Sequence, residues 1–282
     1  MRAALVQMAP RLGDVDGNLE SHLRSIRAAR RKGADLVVFP ELSLTGYSLM
    51  DLVPRVALDP GKSRAVDKLL AASRDVDVVF GFMAETARGI YHNAAAYLSG
   101  GKIVHLHRKV FLPTGGMFDE AKFFARGRDF AAFETRFGRA GMMICRDFLS
   151  LASSYLLFAG GSEINIVISA APGRGMSEAP GFATSRMWEL MGGASAYFCT
   201  SFVIYCNRVG FEDGKAFAGG SFVFGPSGNR LFKAPEADED LAVVDLDMDE
   251  IRRARESWTF KRDDLPELIY HSLGRIVRDH ED

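Results

Sequence analysis

The chain has 282 residues, 48% of them hydrophobic and 25% charged, proportions that exclude a disordered, collagenous or disulfide-stapled protein. Its 35 Lys and Arg against 36 Asp and Glu leave a formal net charge of −1. A near-neutral chain lacks the basic footprint of a nucleic-acid binder.

An apolar run at 2–8 opens the chain and is too short for a secretory signal. Val15, Leu19, Leu23 and Ile26 then recur at helical spacing, with Asp14 or Asp16 placed to cap the start. Arg30, Arg31 and Lys32 fall in the last turn before Gly33, where cations meet the negative end of the helix dipole. They read as a solvated helix end rather than a ligand patch. Residues 34–39 read as a buried strand stopped by Pro40. The pattern predicts a helix over 62–73 and strands at 76–83, 94–98 and 103–107, with Gly100-Gly101 as the turn between the last two. A short apolar run at 141–145 precedes a helical pattern at 148–159, and 165–169 is strand-like. Met187, Leu190, Met191 and Ala194 form a second helical stripe. Strands near 201–206, 220–224 and 241–246, a charged helix at 247–257 and a polar tail complete the chain.

Strands outnumber helices, but helices recur between them, which predicts a layered α/β or α+β architecture. With no repeat, low-complexity block or linker, the expectation is a single domain over 1–282: a core to about 247, then a C-terminal helix and tail at 248–282. No stretch approaches the roughly 18 apolar residues of a membrane helix. Cys145, Cys199 and Cys206 are odd in number and form no C-x-x-C pair. A disulfide framework or thiolate metal site is therefore not expected, and a reducing, cytoplasmic compartment is.

Several chemistries drop out. Gly225-Pro226-Ser227-Gly228 is a turn and not a serine nucleophile elbow. There is no phosphate loop, and Gly173-Arg174-Gly175 lacks the third glycine of a dinucleotide fingerprint. His105 and His107 share one face of a strand but have no evident third ligand, so a metal is not expected there.

Three segments put reactive residues at the ends of apolar runs: Phe39-Pro40-Glu41-Leu42, Arg108-Lys109-Val110-Phe111-Leu112-Pro113 and Ile144-Cys145-Arg146-Asp147. A thiol can attack a carbonyl carbon while a carboxylate moves its proton to the leaving amine and a cation steadies the oxyanion. Cys145 would gain acidity from Lys109 and from a helix beginning near Phe148, and the Arg146 N–H is a candidate oxyanion donor. Taken singly, a cysteine ending a strand is usually core, and a lone Glu or Lys there is usually solvated.

In this order and spacing the three segments resemble the nitrilase, or carbon–nitrogen hydrolase, superfamily. The resemblance implies Glu41 as general base, Lys109 as oxyanion stabiliser and Cys145 as nucleophile. Phe118-Asp119-Glu120 resembles the family's supporting loop, which makes Glu120 a fourth site residue. The stretch from Phe39 to Tyr47, then Tyr91-His92-Asn93-Ala94-Ala95, Tyr205-Cys206-Asn207-Arg208-Val209-Gly210 and Phe217-Ala218-Gly219-Gly220-Ser221 are most similar to the glutaminase domains of glutamine-dependent NAD synthetases. The resemblance implies a four-layer α-β-β-α sandwich, association into a homodimer or larger homo-oligomer through helices, and no cofactor. It also places Tyr47, Arg146, Ser169 and Ala171 among the oxyanion and substrate contacts.

The chain departs from those domains in ways that bear on substrate. No S-G-G-x-D-S-type loop follows, so these residues alone are not expected to make NAD. Arg146 stands where they usually carry a glutamate able to meet the α-ammonium of glutamine. Ala171 replaces a usual serine, and Ser48-Leu49-Met50 replaces a proline-containing stretch. An amide that is uncharged or carries a carboxylate suits Arg146 better. Alternatively, Arg146 pairs with a structural carboxylate and says nothing of substrate. The leading expectation is a thiol-dependent amidase of small non-peptide amides. The alternatives are a stand-alone glutaminase feeding a separate synthetase, a carbamoyl-amine hydrolase or nitrilase, and a silent binding protein. Cys199 and Cys206 are expected to be small buried residues.

Overall fold

The computed structural model describes residues 1–175 and 181–279. Among them the strands form two six-stranded sheets and a two-stranded one, Val209–Glu212 with Lys215–Ala218. The first runs, in spatial order, Asp240–Asp245, Arg2–Gln7, Leu36–Val38, Asp77–Ala87, Ile90–Ser99 and Lys102–Arg108. The second runs Arg230–Lys233, Phe222–Phe224, Phe202–Asn207, Ile164–Ser169, Gly138–Ile144 and Phe133–Thr135. The central neighbours in each are parallel, Arg2–Gln7 with Leu36–Val38 and Gly138–Ile144 with Ile164–Ser169, while the outer strands are antiparallel. Parallel centres need both faces covered, and these strands are accordingly mostly apolar and buried.

The period-2 alternation sorts the side chains into two layers. Ala3, Leu5, Leu36, Val38 and Val79 point toward the second sheet and pack with Met142, Ile166 and Ile204. Ala4, Val6, Val37, Val78 and Phe80 point the other way, against Leu19 and Ile26 of the helix Val15–Arg31 and Leu69 of Arg64–Ala72. The helices Leu151–Ala159 and Ala183–Cys199 cover the second sheet through Leu157, Trp188 and Ala196. The result is the four-layer α-β-β-α sandwich.

Most predicted elements stand where the pattern put them. Asp14 caps the first helix by accepting from the Gly17 N–H, and Arg30 and Arg31 lie solvated in its last turn. Three expectations need correction. The run after Cys145 is first a 3-10 turn, Cys145–Leu149, with the α-helix beginning only at Leu151. The stripe Met187, Leu190, Met191 and Ala194 is not the buried face of its helix: Leu190 is 72% exposed, and Ser185, Trp188, Gly192, Ala196 and Cys199 turn inward instead. The tail is not simply polar: it forms the helix Pro266–Asp279, which buries none of its residues and exposes Leu268, Leu273, Ile276 and Val277. Residues 280–282 lie outside the described residues. Among the described residues no helix is long and apolar enough to cross a membrane.

Candidate active site

Glu41 follows the strand Leu36–Val38, Lys109 follows Lys102–Arg108, and Cys145 follows Gly138–Ile144. Two come from one sheet and the third from the other, so the site forms where strand ends of both sheets meet. Cys145 adopts a positive φ of 46° at the junction of its strand with the 3-10 turn. That conformation is costly for a residue with a side chain, and strain of this kind collects at functional sites. Leu42, next to Glu41, has a φ of 48°.

The buried Lys109 Nζ donates to Glu41 Oε1 and to Glu120 Oε1, both at 2.7 Å. Glu41 Oε1 also accepts from Asn93 Nδ2 at 2.7 Å, while Glu41 Oε2 accepts from the Ala170 N–H at 2.7 Å. Tyr47 donates its hydroxyl to Glu120 Oε1 at 2.5 Å. Glu120 is therefore a buried member of the cluster and not an exposed loop carboxylate.

Burial pulls the Lys109 amine down, but the carboxylates of Glu120 and Glu41 hold it well above the usual lysine range. It stays an ammonium. Burial and the Glu41 charge push the Cys145 thiol up to about 12, against Lys109 and Ser169, which favour the thiolate. This reverses the expected acidification: the turn that follows is a short 3-10 segment, and desolvation outweighs the cation. Ser169 Oγ lies beside the thiol but outside the geometry of a full hydrogen bond. The site thus holds a neutral thiol, so attack requires a base to remove its proton.

Burial raises Glu120 to about 7, with Lys109 opposing it and Glu41 adding to it. As pH falls through about 7, Glu120 takes up a proton and Lys109 loses one anionic partner. We expect kcat/KM to fall on that acid side, and the limb near pH 7 to disappear from the pH–rate profile of Glu120→Gln. Stability runs the other way. The folded value lies above the ordinary 4.5, so the folded state holds the proton more tightly, and this contribution fades as pH rises from 4.5 through about 7.

A cavity of about 200 Å³ opens onto Cys145, walled by Phe118, Arg146, Ala171, Arg174 and Trp188 among others. Ala171 is on its wall, and its N–H is held by Asn207 Oδ1 at 2.8 Å. Arg146 is exposed at the rim with its guanidinium over the Phe111 ring, 5.9 Å from the centroid, and has no carboxylate partner among the described residues. Ser169 is fully buried behind the thiol. Tyr47, expected to touch substrate, stands behind the cluster. It lines a separate cavity of about 240 Å³ shared with Glu120, and its N–H is held by Glu212 at 3.0 Å.

A family model described as carbon-nitrogen hydrolase matches residues 2–256. The chain belongs to the carbon–nitrogen hydrolase family. It is 34% identical to an (R)-stereoselective amidase of Pseudomonas sp. over 93% of this chain and 91% of that protein. It is 30% identical to the glutamine-dependent NAD(+) synthetase of Acinetobacter baylyi, covering 99% of this chain but 50% of that protein. The chain thus spans about half the length of the synthetases it matches. Among solved structures, a carbon-nitrogen hydrolase from Helicobacter pylori superimposes with a TM-score of 0.84 at 26% identity over 97% of each chain.

In this carbon–nitrogen hydrolase, sequence reasoning missed the residues that hold the cluster in place. Asp147 is the main one. Its Oδ1 accepts from the N–H groups of Val110 and Phe111 at 3.0 and 2.9 Å, and its Oδ2 accepts from Ile144 N–H at 3.1 Å and His107 Nε2 at 2.9 Å. One carboxylate ties the segment after Lys109 to the segment before Cys145. His107 is thereby committed to Asp147, and His105 stacks on Phe133 with centroids 4.2 Å apart. No group of three or more potential metal ligands occurs among the described residues. Asn93 and Asp147 were both within the quoted motifs, but nothing in the spacing assigned them a partner.

Gly81 is a third case. A Cβ there would lie 2.4 Å from Leu42 N and 2.7 Å from Pro40 O, backbone that cannot move without carrying Glu41 along. Gly81→Ala is expected to destabilise the fold by about 1–3 kcal/mol in denaturant titration and to lower kcat at least tenfold in the same preparation.

Proposed function

We propose that the protein is an amidase that hydrolyses a small linear amide through a thioester on Cys145. The observation that carries this reading is the buried cluster in which Lys109 bridges two carboxylates behind a neutral thiol that faces an open cavity. Glu41 takes the thiol proton as Sγ attacks the amide carbon and passes it to the leaving nitrogen. The C–N bond breaks, and ammonia leaves. Water, deprotonated by Glu41, then attacks the thioester; the C–S bond breaks, and the proton returns to sulfur. The Lys109 ammonium and the Arg146 N–H stabilise the oxyanion at both stages. Similarity to the Pseudomonas amidase over nearly its whole length supports the amide as substrate.

A stand-alone glutaminase feeding a separate synthetase is the alternative that the Acinetobacter relative suggests. The cavity argues against it, because among the described residues its walls carry two arginines and no acid to meet an α-ammonium. The test is intact mass together with ammonia release after brief exposure to a panel of amides, carbamoyl-amines, nitriles and glutamine. An acyl adduct on Cys145 from an amide is expected. A catalysed turnover with no adduct at Cys145 would refute the thioester.

We also propose a homodimer joined through the second helical layer. Leu151, Leu190 and Phe198 are exposed there by 81%, 72% and 62%, and the unburied apolar face of Pro266–Asp279 lies in the same chain. Sedimentation equilibrium is expected to give twice the chain mass, and Leu190→Glu with Phe198→Glu to give the monomer.

A further inference from the structure

We infer that the substrate is the monoamide of a short dicarboxylic acid, with its free carboxylate gripped by Arg146 and Arg174 at the mouth of the Cys145 cavity. The inference rests on the amidase reading above and adds the chemistry of the acyl group.

Several arginines of the structure are committed to anionic partners: Arg208 meets Glu212 at 2.7 Å, Arg136 meets Asp77 at 3.2 Å and Arg255 meets Glu163 at 3.0 Å. The two at the Cys145 cavity are Arg146 and Arg174. Among the described residues neither forms an ion pair, and no carboxylate lines the cavity that both share with Cys145. Each guanidinium instead lies over an aromatic face, Arg146 over Phe111 and Arg174 over Phe118, the latter at 5.5 Å from the centroid. Stacking fixes the plane of a guanidinium and leaves its N–H edge free for a carboxylate. The loop carrying Arg174 is also held, since the Arg174 N–H donates to Thr184 Oγ1 at 3.1 Å and Thr184 Oγ1 donates to Pro172 O at 3.0 Å.

Among the described residues the rest of the wall is apolar apart from Thr184, and includes Phe118, Leu149, Met187 and Trp188. A volume of about 200 Å³ leaves room for a short acyl chain between the thiol and the rim. Two cations at one end and the thiol at the other match a molecule with a carboxylate at one end and an amide at the other. The same cations repel the α-ammonium that glutamine would bring alongside its carboxylate.

The test compares kcat/KM for glutaramate, valeramide and glutamine. A charge-assisted hydrogen bond is worth about 1.5–3 kcal/mol, and the lower end applies at an exposed rim. Glutaramate is therefore expected to exceed valeramide and glutamine by at least about tenfold. Arg146→Gln and Arg174→Gln are each expected to narrow the glutaramate-to-valeramide ratio about tenfold, mainly through KM for glutaramate, as is a rise in ionic strength. Equal or faster turnover of valeramide or glutamine by the unaltered protein would overturn the inference and leave the amidase reading standing. So would a ratio unmoved in both variants. Absence of ammonia and of any adduct from all three amides would refute the amidase reading and this inference with it.

Discussion

Cys145→Ala is expected to cut amide turnover by about 10⁴-fold or more, the scale on which loss of a nucleophile acts when the rest of the site is intact. The acyl adduct disappears with it. The fold is expected to remain, because the substitution removes one buried sulfur and leaves Glu41, Lys109 and Glu120 bonded to one another. The thiol's environment adds a second result. Burial and Glu41 hold it near 12, so the free thiolate is scarce at neutral pH and the proposed reaction needs a base, the role given to Glu41. Glu41→Gln should therefore slow acylation by about 10²–10⁴-fold, the usual range for general base catalysis, while Cys145 remains present by mass. Stopped-flow acylation with a chromogenic amide checks both variants. If Glu41→Gln acylates as fast as the unaltered protein, the thiol does not need that base.

Lys109→Met is expected to lose about 10³-fold in kcat, the scale of removing one oxyanion donor, and to be the most destabilising change in the site. Lys109 is the shared partner of two buried carboxylates. Removing it leaves both charges in a dry interior, which typically costs about 3–5 kcal/mol. The loss has a pH signature. Without the ammonium both carboxylates bind protons more tightly, so acidification neutralises them and restores part of the stability. The difference in Tm between Lys109→Met and the unaltered protein should shrink as pH falls from 8 to 5. A difference constant across that range would show that the lysine acts through packing rather than charge. Lys109→Arg is not expected to rescue function, because the site encloses a point charge and leaves no room for a planar fork.

These two results bear on how the site is encoded. The candidate site residues were legible because each sits in a short segment with its own local signature at the end of an apolar run: Glu41 after Phe39-Pro40, Lys109 after Arg108, Cys145 before Asp147. The strands and helices were legible too, since alternation in strands and 3.6-residue spacing in helices are local patterns that burial enforces; the four-layer sandwich followed only from the family resemblance. Met187 and Leu190 show the limit of that logic. Apolar spacing marks a face that avoids water, and it reads the same whether that face meets its own sheet or remains open to solvent.

What the sequence by itself determined is the chemistry available to this protein: a thiol, a carboxylate and an amine in a fixed order, on a chain apolar enough to bury them in a layered α/β fold. What only the tertiary structure decided is how those groups behave. The Cys145 thiol is pushed up and not down because burial, a property of all the surrounding chain, outweighs one neighbouring cation. Asp147 became the tie between two strand ends because its four partners, His107, Val110, Phe111 and Ile144, come from two different sheets. Tyr47 went behind the cluster and Arg146 to its rim, although both are near a reactive residue in sequence. Desolvation and through-space charge depend on distances across the sandwich, and those distances are set by packing between sheets rather than by spacing along the chain.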